Sequence, residues 1–343
     1  MRNRLLLSVG LIGLFVGAAN AADTKILINC FYPPKHPICS QVLPEWKEQV
    51  EKVTEKRVRV HIASTSLSPP AEQLQSVRSG LFDAAYFFFG FTENEISGPL
   101  VAMNPFISSY SSEVNSIALW DTYQEKLADV DEFDGVKPLA MFVMPGSSIF
   151  SLKSQAIKSL DDVLSFKLYG SPGMPANLLK NAGGAVVSGP AVQMTELAQR
   201  GVIDGIFSLA IGTMHNLGML SYVKSVTTTP VPLFSPSFGF VISDKKWAEI
   251  KQADQEAIMG ISGQWLSALS GRKFDEVQRE AVDFVETDPK VAMIEASEEL
   301  FSSLKEIAEP FTQKWVKQAS QKGIAAGEAL EFYRERIDSL MEQ

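Results

Sequence analysis

From residue 24 onward the apolar residues fall into short runs separated by Pro, Gly and charged positions, and their spacing changes in a regular order. Residues 25–29 form a β-like run, and Pro33, Pro34 and Pro37 then punctuate a loop. From Ser40 the period becomes helical: Val42, Leu43, Trp46, Val50 and Val53 share one face, with Glu and Lys opposite. Residues 58–62 alternate as a strand, 71–79 read as a second helix and 84–89 as a buried strand. Strand and helix in turn at these intervals predict βαβ units and a mostly parallel sheet.

The pattern then restarts. Residues 139–143 and 148–151 read as strands, Ser159-Leu160-Asp161-Asp162 as a helix start, 166–169 as a strand, and 175–181 as a helix stopped by Gly183-Gly184. A short helix at 195–199 and a strand at 202–207 follow. Two passages look alike: Arg78-Ser79-Gly80-Leu81-Phe82-Asp83 and Arg200-Gly201-Val202-Ile203-Asp204 each close a helix and enter a strand. Glycine there predicts a left-handed helix stop, with the Asp capping the turn. After Pro230, Pro232 and Pro236 comes a late strand at 238–242, then one long helix or a kinked pair over 254–286. Gly260, Gly263 and Gly271 weaken that helix by up to about 1 kcal/mol each. Residues 297–323 and 326–341 are amphipathic helices. A late return strand and a long helix predict a chain that crosses between two lobes more than once, as a cleft that hinges shut requires.

The first residues bear on the compartment. Arg2 and Arg4 precede an apolar run at 5–18, and Ala19-Asn20-Ala21 places small residues at a cleavage point, the build of a secretory signal peptide over 1–21. The run is shorter than the roughly 20 residues a spanning helix needs. The mature chain is therefore expected in the periplasm, without direct membrane insertion. The formal net charge of −9, more negative once Arg2 and Arg4 leave, argues against nucleic acid and anionic membranes. Cys30 and Cys39 either bridge in that oxidising compartment or sit as small buried thiols.

Patterns that would carry catalysis are missing: no Gly-x-Ser-x-Gly elbow, no P-loop, and no Gly-x-Gly-x-x-Gly beyond the leader. His36, His61 and His215 stand apart with no paired metal ligands. Asp161-Asp162 compensates a helix dipole. No enzyme activity, cofactor or metal is expected. Aromatic placement stands out instead. Ligands of open α/β sheets bind beyond the carboxyl ends of strands. Phe31 and Tyr32 follow the first strand, Phe88 and Phe89 run off another, and Phe207 ends a third, so these rings either wall a pocket or fill the core.

Five passages in order carry a resemblance: Phe31 to Pro37, Glu72 to Asp83, Leu160 to Leu168 with Gly170 to Gly173, Glu196 to Gly205, and Phe240 to Trp247. With them the chain resembles the dicarboxylate-binding (DctP) type solute-binding proteins of tripartite ATP-independent periplasmic (TRAP) transporters. The resemblance implies an α/β, two-lobed periplasmic-binding-protein fold with a hinge and a long helix bridging both lobes. Lobe I is expected over 22–146 with 238–270 returning to it, lobe II over 147–237 with about 271–300 returning, and residues 301–343 as C-terminal helices on the lobes. It also implies one small-molecule solute delivered to membrane permease subunits; the same fold could instead serve a sensor receptor.

The departures concern the ligand. Where the family usually carries a strand arginine that clamps a carboxylate, this chain reads Lys167-Leu168-Tyr169. The stretch Gly146-Ser147-Ser148-Ile149 carries no charge, and Gly205-Ile206-Phe207-Ser208 replaces a family Gly-Ala-Glu-Asn. A buried carboxylate without a partner costs several kcal/mol. An amine, amino alcohol or neutral aromatic solute is therefore expected. Tyr32, Phe88, Tyr169 and Phe207 would form a cage and Glu72 the counter-charge, with Phe31, Phe89, Ser148 and Ser208 as further lining.

Overall fold

The computed structural model describes residues 24–342; the segment read as a signal peptide lies outside them. The chain opens with β1 (Thr24–Asn29) and passes through a π-helical turn (Ile38–Val42) into α1 (Leu43–Val53). β2 (Val58–Ile62), α2 (Gln73–Arg78), β3 (Ala84–Phe88), α3 (Ser112–Thr122) and β4 (Val136–Val143) follow. After a first crossing come β5 (Ser148–Ser151), α4 (Leu160–Ser165), β6 (Lys167–Tyr169), α5 (Met174–Asn181) and β7 (Ala185–Val187). α6 (Met194–Gln199), β8 (Gly205–Leu209), α7 (Ile211–Asn216) and β9 (Ser225–Thr228) complete that stretch. β10 (Ser237–Ser243), α8 (Asp244–Glu249), α9 (Gln252–Gly260) and α10 (Gly263–Thr287) lead to β11 (Ala292–Glu295), α11 (Glu298–Gln321) and α12 (Ala326–Met341).

Two sheets result, a five-stranded one in the order β2-β1-β3-β10-β4 and a six-stranded one in the order β11-β9-β5-β8-β6-β7, each the core of one α/β lobe. They are mixed where a mostly parallel sheet was expected. β10 runs antiparallel to β3 and β4, and β5 antiparallel to β8 and β9. The reason is connectivity: these strands arrive from the other lobe and not through a crossover helix, so nothing imposes the parallel direction.

The repeated Arg-to-Asp passages serve both lobes alike. Gly80 and Gly201 take φ of +76° and +63°, the left-handed stop that glycine makes cheap. Contrary to the expectation of a turn cap, the acid reaches the neighbouring strand. Asp83 accepts the Leu27 N–H at 2.7 Å and Asp204 accepts the Lys167 N–H at 3.0 Å. A neighbouring strand is thereby pinned in each lobe, β1 at Leu27 in its middle and β6 at its first residue.

The described chain passes between the lobes four times, the last from β11 through α11 to α12, which packs on α3. The segments leading from β4 to β5 and from β9 to β10 run side by side, Met144 N donating to Pro236 O and Ser147 N to Phe234 O, both at 2.8 Å. The third is α10, separated from α9 by a break at Ile261-Ser262, where Trp46 donates to the Ser262 hydroxyl at 3.0 Å. Leu266, Leu269 and Phe274 pack in the larger core with the five-stranded sheet, while Ala281 and Val285 pack in the core of the six-stranded lobe. Gly271 is less a weak point than a contact point, since a Cβ there would lie 2.5 Å from the Glu113 Cα on α3. Among the described residues no helix is long and apolar enough to cross a membrane.

Candidate ligand-binding site

A cavity of about 550 Å³, open mouth included, lies between the lobes beyond the carboxyl ends of β1, β3, β6 and β8. Its five-stranded side is a connected set of rings. Phe88, the last residue of β3, tilts against Phe238 of β10 at 5.1 Å; Phe238 stacks on Phe142 at 4.9 Å and 7°, and Phe142 on Phe274 of α10 at 5.3 Å and 12°. Tyr32 lies flat on His36 at 3.7 Å and 3°, and His36 meets Phe274 at 5.6 Å. The loop that carries Phe31, Tyr32 and His36 is closed by a Cys30–Cys39 disulfide, Cα to Cα 5.9 Å, which resolves the open question of the two cysteines. Stacked and edge-on ring pairs of this kind add about 0.5–1.5 kcal/mol each beyond burial.

The six-stranded side carries one ring and a few hydroxyls among smaller apolar residues. Tyr169 at the end of β6 donates to Gly189 O at 2.7 Å. Ser208 on β8 accepts the Ser171 N–H at 2.7 Å and donates to the Ser171 hydroxyl at 3.0 Å. Pro172, Pro190, Ala191, Val192, Leu209, Thr213 and Leu217 complete this wall. The lobes meet beside the cavity, where a Cβ on Gly90 would come within 2.9 Å of Pro172 O.

Among the described residues no Lys, Arg, Asp or Glu lines the cavity. Burial holds the Tyr32 and Tyr169 phenols well above their ordinary range, Tyr32 with a further push from Tyr169, so both stay neutral. Burial also pushes His36 down to about 3, leaving a neutral imidazole. Among the described residues no group of three or more His, Cys, Asp or Glu could hold a metal ion.

Residues 28–318 match the family described as bacterial extracellular solute-binding protein, family 7 (DctP). The chain belongs to that family. This solute-binding protein is 32% identical over 334 residues to a Comamonas testosteroni protein called outer membrane transporter protein TsaT, covering 96% of this chain and 97% of the other. It is similar in fold to a TRAP periplasmic solute-binding protein of Bordetella bronchiseptica with bound (R)- and (S)-mandelate (TM-score 0.87, 26% identity, 92% of this chain and 99% of the other). A Rhodoferax ferrireducens TRAP solute-binding protein with copurified benzoate shares the fold (TM-score 0.82, 19% identity, 93% and 98% covered). Its family and fold relatives are solute receptors and not enzymes.

Of the residues singled out in the sequence of this solute-binding protein, Phe31, Tyr32, Phe88 and Tyr169 stand together in the cavity wall, and Ser208 reaches it through Ser171. The others do not. Glu72 is exposed at the end of a 3-10 turn (Pro70–Glu72), where only Pro70 touches the cavity, so the counter-charge assigned to it is absent from the cavity wall. Phe89 is fully buried against Phe87 and Phe133, because residues adjacent to Phe88 face the other side of the sheet. Phe207 is 1% exposed in the core for the same reason, one residue before Ser208. Ser148 is buried opposite Leu209 in the β5–β8 ladder. His36, Phe238, Ser171 and Thr213 were missed. His36 lay within the Phe31–Pro37 passage and was discounted as isolated; Phe238 meets Phe88 only through the long-range β3–β10 pairing.

Proposed function

We propose that this protein is the binding subunit of a TRAP-type transporter in the periplasm, and that its cleft closes on one small aromatic solute for a membrane permease. The observation that carries the reading is a cavity walled by stacked rings on one lobe, by neutral hydroxyls, prolines and aliphatic side chains on the other, and, among the described residues, by no ionised side chain on either. Burying a phenyl-sized ring of about 150 Å² at about 25 cal/mol per Å² supplies about 4 kcal/mol. A second carboxylate, as in an aliphatic dicarboxylate, would lie unpaired at a cost of several kcal/mol. A bare ammonium loses its support as well, with Glu72 on the outer surface. The mandelate-bound relative supports the aromatic choice. The two strand crossings and α10 supply the connections about which the lobes would close.

A thermal-shift panel tests the reading. Binding to the native state alone adds about 2.7 kcal/mol at a hundredfold excess over Kd, which in a chain of this size raises Tm by about 5–10 °C. Mandelate, benzoate and benzamide are expected to include at least one such shift, and succinate and glutamate none. Shifts with succinate alone would refute the aromatic assignment.

A further inference from the structure

One nitrogen in the cavity wall has no partner. His36 is 2% exposed and lines the cavity. Its Nδ1 accepts the Ile38 N–H at 3.4 Å, which places the proton of the neutral ring on Nε2. Nε2 is buried and makes no hydrogen bond among the described residues. Native chains rarely leave a buried donor unmade without a reason. One ring face is covered by Tyr32, and Nδ1 is held by the backbone. The edge that carries Nε2 is what His36 has left to offer the cavity.

We infer that His36 determines which solutes the cleft accepts, its Nε2–H donating to an acceptor oxygen at the polar end of the aromatic solute; this rests on the reading of the cleft given above. The imidazole sits on a loop held at both ends by the disulfide, and its orientation is set by Tyr32, Ile38 and Phe274 before any solute arrives. Little ordering remains to be done on binding. With no positive charge of its own, His36 selects by direction: an amide, a ketone or a carboxylate oxygen satisfies it, whereas an ammonium head sets N–H against N–H. Tyr32 and Thr213 line the same cavity and bring hydroxyls to the rest of that polar end.

Calorimetry on the purified chain with mandelate, mandelamide and benzylammonium decides the matter, together with His36→Phe, which keeps the ring and removes the donor, and His36→Gln, which keeps a donor. Wild type is expected to bind the first two more tightly than benzylammonium. His36→Phe should weaken those two by about ten- to a hundredfold while leaving benzylammonium unchanged, and His36→Gln should recover part of the loss. In wild type labelled with 15N-histidine, the His36 Nε2–H resonance should move when mandelate is added, a readout that does not depend on the variants folding. Equal affinities in His36→Phe and wild type, an equal loss for all three probes, or a resonance that stands still at saturating mandelate would each overturn the role of His36 and leave the aromatic site intact. If wild type binds none of the three, the aromatic reading and this inference fall together.

Discussion

On the five-stranded side the cleft is faced by rings that brace one another, from Phe88 through Phe238 and Phe142 to Phe274, His36 and Tyr32. On the six-stranded side a single ring, Tyr169, stands among Ser171, Thr213, two short helix starts and the Gly189-Pro190 turn. Both lobes are built with the same strand clamp, Asp83 in one and Asp204 in the other. What differs is where the clamped strands end. Beyond the strand ends the first lobe presents Phe31, Tyr32, Phe88 and Phe238, whereas the second presents Tyr169, Ser171 and Thr213 among prolines and aliphatic side chains, so one wall offers stacked rings and the other a few hydroxyls in an otherwise apolar face.

The contrast breaks most readily at the rings. Phe238→Ala removes the ring shared by Phe88, Phe142 and Tyr32, and should lower unfolding free energy in urea by about 3–5 kcal/mol while abolishing binding of aromatic probes. Next is the disulfide: Cys30→Ser with Cys39→Ser should cost about 2.5–3 kcal/mol for a loop of this length, and weaken binding through the freed Tyr32 and His36. Tyr169→Phe removes the hydroxyl that donates to Gly189 O and should cost about 1 kcal/mol; a loss as large as that of Phe238→Ala would erase the distinction between the walls. Glu72→Gln should change stability by less than about 0.5 kcal/mol and leave solute affinity alone.

A pH series sharpens the comparison further. The buried His36 titrates near 3 in the folded chain, against about 6.5 unfolded, so the unfolded state holds the extra proton between those values. Its contribution to stability is complete above pH 6.5 and lost as pH falls toward 3. The Tm of wild type should therefore drop more steeply from pH 6.5 to 4 than that of His36→Phe.

Much of this was legible in the chain and some was not. Amphipathic stretches such as α1, with Trp46 and Val50 buried on one face, announced themselves, as did the Ser159 cap, whose hydroxyl and the Asp162 carboxylate form a reciprocal capping box. α3 did not, because it buries Ser112, Asn115, Ser116 and Thr122 along with Leu119 and Trp120, and so shows no apolar stripe. Its Ser116 and Thr122 hydroxyls bond back to carbonyls one turn earlier, at 2.6 and 2.7 Å, which satisfies them inside the core. In the site, residues following strand ends were readable from position along the chain. Phe238 was not, since its place beside Phe88 depends on a pairing about 150 residues apart, which no local pattern encodes. Glu72 misled because 71–79 was read as one helix, whereas residues 70–72 form a 3-10 turn that leaves Glu72 exposed.

The most direct test is crystallographic. Crystals grown with 3-bromobenzoate, measured at the bromine edge, would place the ring by its anomalous signal. The account predicts a peak inside the interlobe cavity in contact with Phe88 and Phe238, with the carboxylate toward His36. A peak confined to the outer surface, from crystals of protein that binds the compound in solution, would contradict it.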